Sequence, residues 1–163
     1  MDRKICTAFG AAAFFFLPGI TPAALANSSG GAPTSMCMDC HVLPKGADIV
    51  AENLPQAYQP GATYEIGLKV VSAVLSVGDV HGGFAVSASD GELIVSDAAN
   101  TQKSGDFITH TSEGTHMRSW KFKWKAPREK KPVTMTISVI AANGDFVPIH
   151  DGFSRREFVI SPR

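Results

Sequence analysis

The sequence has no excess of either charge, few cysteines and no second long apolar run after its first 26 residues. Lysine plus arginine and aspartate plus glutamate both number 15 in 163 residues, which argues against a dedicated, strongly basic nucleic-acid binder. Three cysteines are too few for a disulfide scaffold. The sequence also shows no phosphate-binding glycine loop, nucleophilic triad or paired-carboxylate motif, which disfavours kinases and hydrolases.

The residues that are abundant favour a turn-rich β protein. Glycine and proline number 15 and 10, more than a helical bundle tolerates. Hydrophobic residues make up 44% of the chain. A chain of this length and composition can bury a real core within one domain.

The first 26 residues have the features of an export signal. Arg3 and Lys4 precede an apolar stretch at 5–17, and Ala24-Leu25-Ala26 has the small-x-small pattern that signal peptidase cleaves. The stretch is shorter than the ~20 residues that span a bilayer, although an uncleaved N-terminal anchor is an alternative. We expect cleavage near Ala26 and an extracytoplasmic protein, periplasmic or secreted.

Alternation of apolar and polar residues predicts strands along most of the remaining chain. In the clearest case, Trp120, Phe122 and Trp124 alternate with lysines. Asp90-Gly91 predicts a hairpin turn between two of the strands. The seven predicted strands lie at 64–70, 84–89, 92–95, 106–111, 118–125, 133–141 and 156–160.

No amphipathic helix separates these strands, so we predict an all-β fold. It is an immunoglobulin-like antiparallel β-sandwich of about seven to eight strands. Residues 42–61 contain three prolines and are predicted to be irregular surface chain. The domains follow as a signal peptide at 1–26, a flexible lead-in with a short irregular attachment segment at 27–61, and the sandwich at 62–163.

The pentapeptide Cys37-Met38-Asp39-Cys40-His41 carries the clearest chemistry. Cys37 and Cys40 are the only cysteines after the leader, and two thiols at this spacing can form thioether bonds to one haem c while His41 binds the iron. A Cys37–Cys40 disulfide is the main alternative in an oxidising compartment. A thioredoxin-like pair would need a βαβ unit, and a zinc site would need a second ligand pair.

A second axial ligand is harder to identify from the residues. His110 differs from the other histidines because it lies within a predicted strand, where a buried imidazole needs a partner. A hydrogen bond to Thr109 or Thr111 is an alternative role for it. His116 and His150 are expected on exposed turns. The full set of candidates is His81, His110, His116, His150, Met36, Met38, Met117 and Met135, of which Met135 is expected in the core.

An ordered series of short segments resembles the reelin-domain (Reeler) sandwich in its bacterial, exported, choice-of-anchor form. The resemblance implies a β-sandwich, export and a C-x-x-C-H segment ahead of the sandwich, and it favours His110 as the histidine facing the haem. The chain lacks the family's C-terminal anchor, from which we expect a soluble or partner-held protein. The matching segments are 31–33 with 37–41, 54–64, 82–84, 108–111, 119–127 and 141–145.

The sequence-based hypothesis is an exported monohaem c-type cytochrome that transfers single electrons and is not an enzyme. Lysines at 121, 123 and 125 with basic residues at 128–131 would suit an acidic redox partner, although lysines on a solvated outer strand are the simpler interpretation. Two alternatives stay open. One is a five-coordinate haem that binds a gas or reduces peroxide. The other is a non-haem adhesion or ligand-binding module with a disulfide.

Overall fold

The computed structural model describes Cys37, His41 and residues 45–163. The predicted signal peptide, the Gly-Ala-Pro lead-in, Met36, Met38 and Cys40 lie outside the described residues. No helix within the described part of the chain is long and apolar enough to cross a membrane.

Residues 45–163 form two β-sheets packed as a sandwich. One sheet has the order β1-β11-β10-β5-β8-β7 with β3 beside β11, and the other has the order β2-β4-β9-β6. The strands are β1 (Lys45–Gly46), β2 (Asp48–Glu52), β3 (Ala57–Tyr58), β4 (Thr63–Val71), β5 (Gly82–Ala88), β6 (Glu92–Val95), β7 (Thr101–Ser104), β8 (Phe107–His110), β9 (Ser119–Lys125), β10 (Val133–Ala141) and β11 (Gly152–Pro162).

The predicted all-β sandwich is confirmed, and all seven predicted strands form. On β9 the alternation places Trp120, Phe122 and Trp124 inside, each at most 2% exposed. Their cross-strand partners on β4 are Leu68, Ile66 and Tyr64. Such pairs of large apolar side chains on one face stabilise a sheet and bury its inner surface. Met135 on β10 is fully buried in the same core, as predicted.

The prediction that residues 42–61 are irregular is wrong for three short segments. β2 pairs antiparallel with β4 and buries Ile49, while β1 and β3 pair parallel with β11. Pro55 and Pro60 did not prevent this, because both lie outside the three strands, and Pro44 is outside the described residues. The sheets therefore extend to the N-terminal side of residue 62, and two short parallel pairs join an otherwise antiparallel sandwich.

The predicted hairpin at Asp90-Gly91 is also wrong. The turn exists, with Gly91 at φ 85°, but β5 and β6 continue into different sheets. The indole Nε1 of Trp124 donates a hydrogen bond to the Asp90 carbonyl at 3.0 Å. A turn residue indicates only the local backbone conformation. The sheet that each flanking strand joins depends on the core residues against which that strand packs.

One end of the sandwich collects several loops, and we call it the loop end. Here β5 begins, β10 ends and β11 begins, since Ala141 pairs with both Gly82 and Gly152. The loops at 72–81 and 142–151 and a 3-10 helix, Glu113–His116, also lie at this end. The predicted site is positioned here as well, because β1 pairs with the first residues of β11.

Candidate functional site

Cys37 and His41 are the described residues of the pentapeptide, and a backbone hydrogen bond of helical type joins them. Cys37 is helical, and the His41 backbone N–H donates to the Cys37 carbonyl at 3.0 Å. Residues four apart in such a turn lie on the same helical face. The backbone therefore places one predicted thioether residue and the predicted iron ligand side by side.

His41 is held by a carboxylate that sequence reasoning missed. Its Nδ1 lies 2.7 Å from Oδ2 of Asp151, and the two side chains are 23% and 5% exposed. A carboxylate only accepts hydrogen bonds, so Nδ1 carries the proton, and the neutral tautomer that this contact selects has its lone pair on Nε2. Fixing one ring nitrogen in this way is how proteins orient a metal-binding histidine.

Backbone contacts bring Asp151 to His41. The Lys45 N–H donates to the Asp151 carbonyl at 2.6 Å, next to the β1–β11 pairing. The second carboxylate oxygen, Oδ1, accepts a hydrogen bond from the Asn143 N–H at 2.9 Å. Asp151 is therefore buried with a donor on each of its oxygens, which is what a buried carboxylate requires.

Arg118 supplies positive charge near this carboxylate. Its guanidinium donates to the carbonyl oxygens of His81 at 2.8 Å and of Ala142 at 3.0 Å. Burial lowers the pKa of Arg118, and the negative charge of Asp151 opposes that shift. The cation remains protonated and offsets part of the cost of burying the carboxylate.

His110 is packed into the seven-stranded sheet, in the strand where it was expected. Its Nδ1 lies 3.1 Å from the Phe84 N–H and 3.2 Å from the Phe84 carbonyl oxygen. The ring lies against Gly83, where an added Cβ would be 2.6 Å from Cε1. Burial lowers the pKa of His110, while the hydrogen bond to Phe84 opposes that shift. The imidazole is therefore neutral near pH 7.

The structure does not bring the His110 backbone next to the His41 pair. Strands β10 and β5 lie between β11, which follows Asp151, and β8, which ends at His110. Three strand spacings correspond to a lateral separation of roughly 14 Å. The role of His110 as the second iron ligand stays a prediction.

The other candidate iron ligands differ in their exposure and in their location in the sandwich. The Nδ1 of His116 is 2.7 Å from the Asp79 carbonyl oxygen on the surface, and His150 is exposed with φ at 64°. His81 precedes β5 and is half-buried. Met117 packs at the margin of the core. Within Cys37, His41 and residues 45–163, no group of three or more His, Cys, Asp or Glu side chains could hold a metal ion.

The predicted basic face carries both signs of charge. Lys123 lies 3.8 Å from Glu65, and Lys125 pairs across strands with Glu92. Lys131 bonds to Asp90 at 2.7 Å and to Glu129 at 3.2 Å. An acidic redox partner therefore gains no specific support from this surface.

The exposed apolar residues of the loop end were also missed. Leu75 and Val77 are 82% and 83% exposed, and Phe146 and Val147 are 76% and 47% exposed. No sequence signal marked them, since single apolar residues in loops are ordinary. Asp151 was overlooked for a similar reason, because the adjacent glycine made it look like a turn residue.

Comparison with known proteins gives the class of fold. The human F-spondin reeler domain (fragment 1) superposes with a TM-score of 0.50 at 16% identity, covering 73% of this chain and 91% of that chain. The Reelin-N domain of F-spondin gives a TM-score of 0.52 at 15% identity, covering 79% and 97%. Neither a family model nor a curated protein matches the sequence. The chain is therefore a reeler-like β-sandwich in its fold, as the resemblance implied.

Proposed function

We propose that this protein is an exported monohaem c-type cytochrome that transfers single electrons. The observation that carries the proposal is the His41–Asp151 contact of 2.7 Å. It orients an imidazole with Nε2 available, directly after two cysteines at haem-attachment spacing. A disulfide segment does not require a histidine fixed in this way, whereas haem attachment does.

The residues present fit a covalently bound haem. Cys37 and Cys40 would hold the porphyrin through thioether bonds, and His41, whose N–H bonds to the Cys37 carbonyl, would bind the iron. Asp151 would keep the His41 ring in one orientation and one tautomer. The haem would supply one-electron redox chemistry. Attachment through cysteines also explains how the end of a β-sandwich could carry a haem without a helical pocket.

The second axial position separates two versions of this proposal. We keep His110 as the proposed ligand, because its imidazole is neutral and lies at the same end of the sheet. Two histidine ligands would leave no open position on the iron, which suits electron transfer. The packing of the His110 ring against Gly83 and Phe84 favours the second candidate, a five-coordinate haem that binds a small gas or reduces peroxide.

The first experiment is to express the full chain in a host with c-type maturation machinery. We expect a coloured protein with a haem c pyridine-haemochrome spectrum and a mass increase of one haem. The matched control replaces Cys37 and Cys40 by serine and is expected to be colourless and folded, because the core lies within the sandwich. A colourless natural protein with a two-proton mass deficit would instead support the disulfide-containing binding module.

The second experiment determines the coordination of the iron. If His110 binds iron, the reduced protein will not bind carbon monoxide, and His110→Ala will gain carbon monoxide binding with a shifted Soret band. His116→Ala is the control, since this exposed side chain has its hydrogen bond with a surface carbonyl oxygen. Carbon monoxide binding by the unsubstituted protein would support the five-coordinate candidate. If the unsubstituted protein does not bind carbon monoxide and the His110→Ala spectrum is unchanged, another residue such as His81 is the iron ligand.

A further inference from the structure

Two loops present a cluster of exposed apolar side chains at the loop end, and we call it the apolar loop surface. It consists of Leu75 and Val77 on the loop at 72–81, and of Phe146 and Val147 on the loop at 142–151. Their exposed fractions are 82%, 83%, 76% and 47%. Large apolar side chains exposed together on two neighbouring loops mark a candidate surface for a partner or ligand.

Hydrogen bonds hold these loops in place. The Val77 N–H donates to the Asn143 carbonyl at 2.8 Å, and the Ser76 hydroxyl donates to the Val80 carbonyl at 2.7 Å. The Asp145 carboxylate accepts from the Asn143 side-chain amide at 2.9 Å and from the Val147 N–H at 2.8 Å. The apolar residues are therefore exposed on a fixed surface.

Hydrogen bonds through Asn143 link the loops that carry the apolar loop surface to the His41 site. The carbonyl of Asn143 binds Val77, and its N–H binds Asp151. Asp151 in turn binds His41. One residue thus joins the apolar loops to the carboxylate that orients the predicted iron ligand.

We propose that the apolar loop surface covers part of the porphyrin that is bound to Cys37, Cys40 and His41. This inference rests on the proposed function. A porphyrin is a broad apolar plane, and its tether and the fixed His41 ring confine it to the surroundings of Asp151. Apolar side chains in that position remove water from the macrocycle, and such an apolar shell sets the potential of a metal site. The apolar loop surface would then form one wall of the haem site.

The test uses the haem-loaded full chain and methyl NMR of the reduced, diamagnetic protein. The methyl resonances of Leu75, Val77 and Val147 are expected to show large ring-current shifts relative to the haem-free variant with serine at both cysteines. Val159 is the internal control, because it is 65% exposed on the part of β11 far from the loop end. Its methyl resonances should be unchanged.

A paired substitution tests the energetic consequence. Leu75→Ser with Val77→Ser should admit water to the porphyrin and lower the reduction potential, whereas Val159→Ser should leave the potential unchanged. Unshifted loop methyls in a protein that carries haem would overturn the inference and leave the cytochrome proposal intact. Loop shifts that depend on protein concentration would also overturn it, since they would assign the surface to a second copy. A natural protein without haem would overturn both proposals together.

Discussion

The hydrogen bond between His41 and Asp151 joins residues 110 positions apart. At the scale of single residues, it is the contact on which the proposed chemistry depends most directly. A carboxylate behind a metal-binding imidazole increases the basicity of the ligand. It thereby favours the more positive oxidation state of the metal, which for haem iron is the ferric state.

Replacing Asp151 by asparagine tests this effect: the amide oxygen can still accept from Nδ1 but carries no charge, while the amide nitrogen takes the place of the oxygen that accepts from the Asn143 N–H. We expect Asp151→Asn to raise the reduction potential of the haem-loaded protein, measured by potentiometric titration. Asp79→Asn is a suitable control, since it removes the same charge from an exposed position at the loop end. An equal shift in both variants would mean that long-range charge, not the hydrogen bond, is responsible.

At the scale of elements, the β5–β8 pair shows how a strand accommodates a buried ring. The imidazole of His110 occupies space next to Gly83 that any side chain would fill. Its Nδ1 uses the backbone of Phe84 as hydrogen-bond partner, so the buried polar atom is satisfied. The absence of a side chain at Gly83 on β5 therefore makes room for the His110 ring on β8.

Gly83→Ala should force the His110 ring to move and destabilise the fold. Overpacking of this kind costs about 1–3 kcal/mol, and denaturant unfolding would measure it. Gly46→Ala is the matched control on another strand, because nothing lies within 4 Å of its added Cβ. The double variant Gly83→Ala, His110→Ala should lose less stability than the two single variants combined. Strictly additive losses would contradict the proposed steric conflict.

At the scale of the whole molecule, the candidate site and the hydrophobic core lie in different parts. The core is formed by large apolar side chains between the two sheets, including Ile66, Phe122 and Ile137, which are fully buried. The candidate site lies at the loop end, where strand termini and loops meet. A haem bound at the loop end, as proposed, would therefore leave the core undisturbed.

The sequence by itself determined seven of the strands and the spacing of Cys37, Cys40 and His41. Period-two alternation depends on local geometry, because successive side chains of a strand point to opposite faces, so the seven strands that alternate clearly could be predicted from the chain. The Cys37–His41 spacing is equally local. The two-residue strands β1 and β3 carry too little pattern to be predicted, and β2 and β7 are defined as strands by their pairing with β4 and β8.

Only the tertiary structure decided which distant residues meet. Asp151 could not be predicted as the partner of His41, because the β1–β11 pairing that joins them is a long-range contact. Long-range contacts also place β5 and β6 in different sheets, and they bring the two loops with exposed apolar residues together. Backbone pairing between remote segments depends on which core faces fit together, and no local window of sequence contains that information.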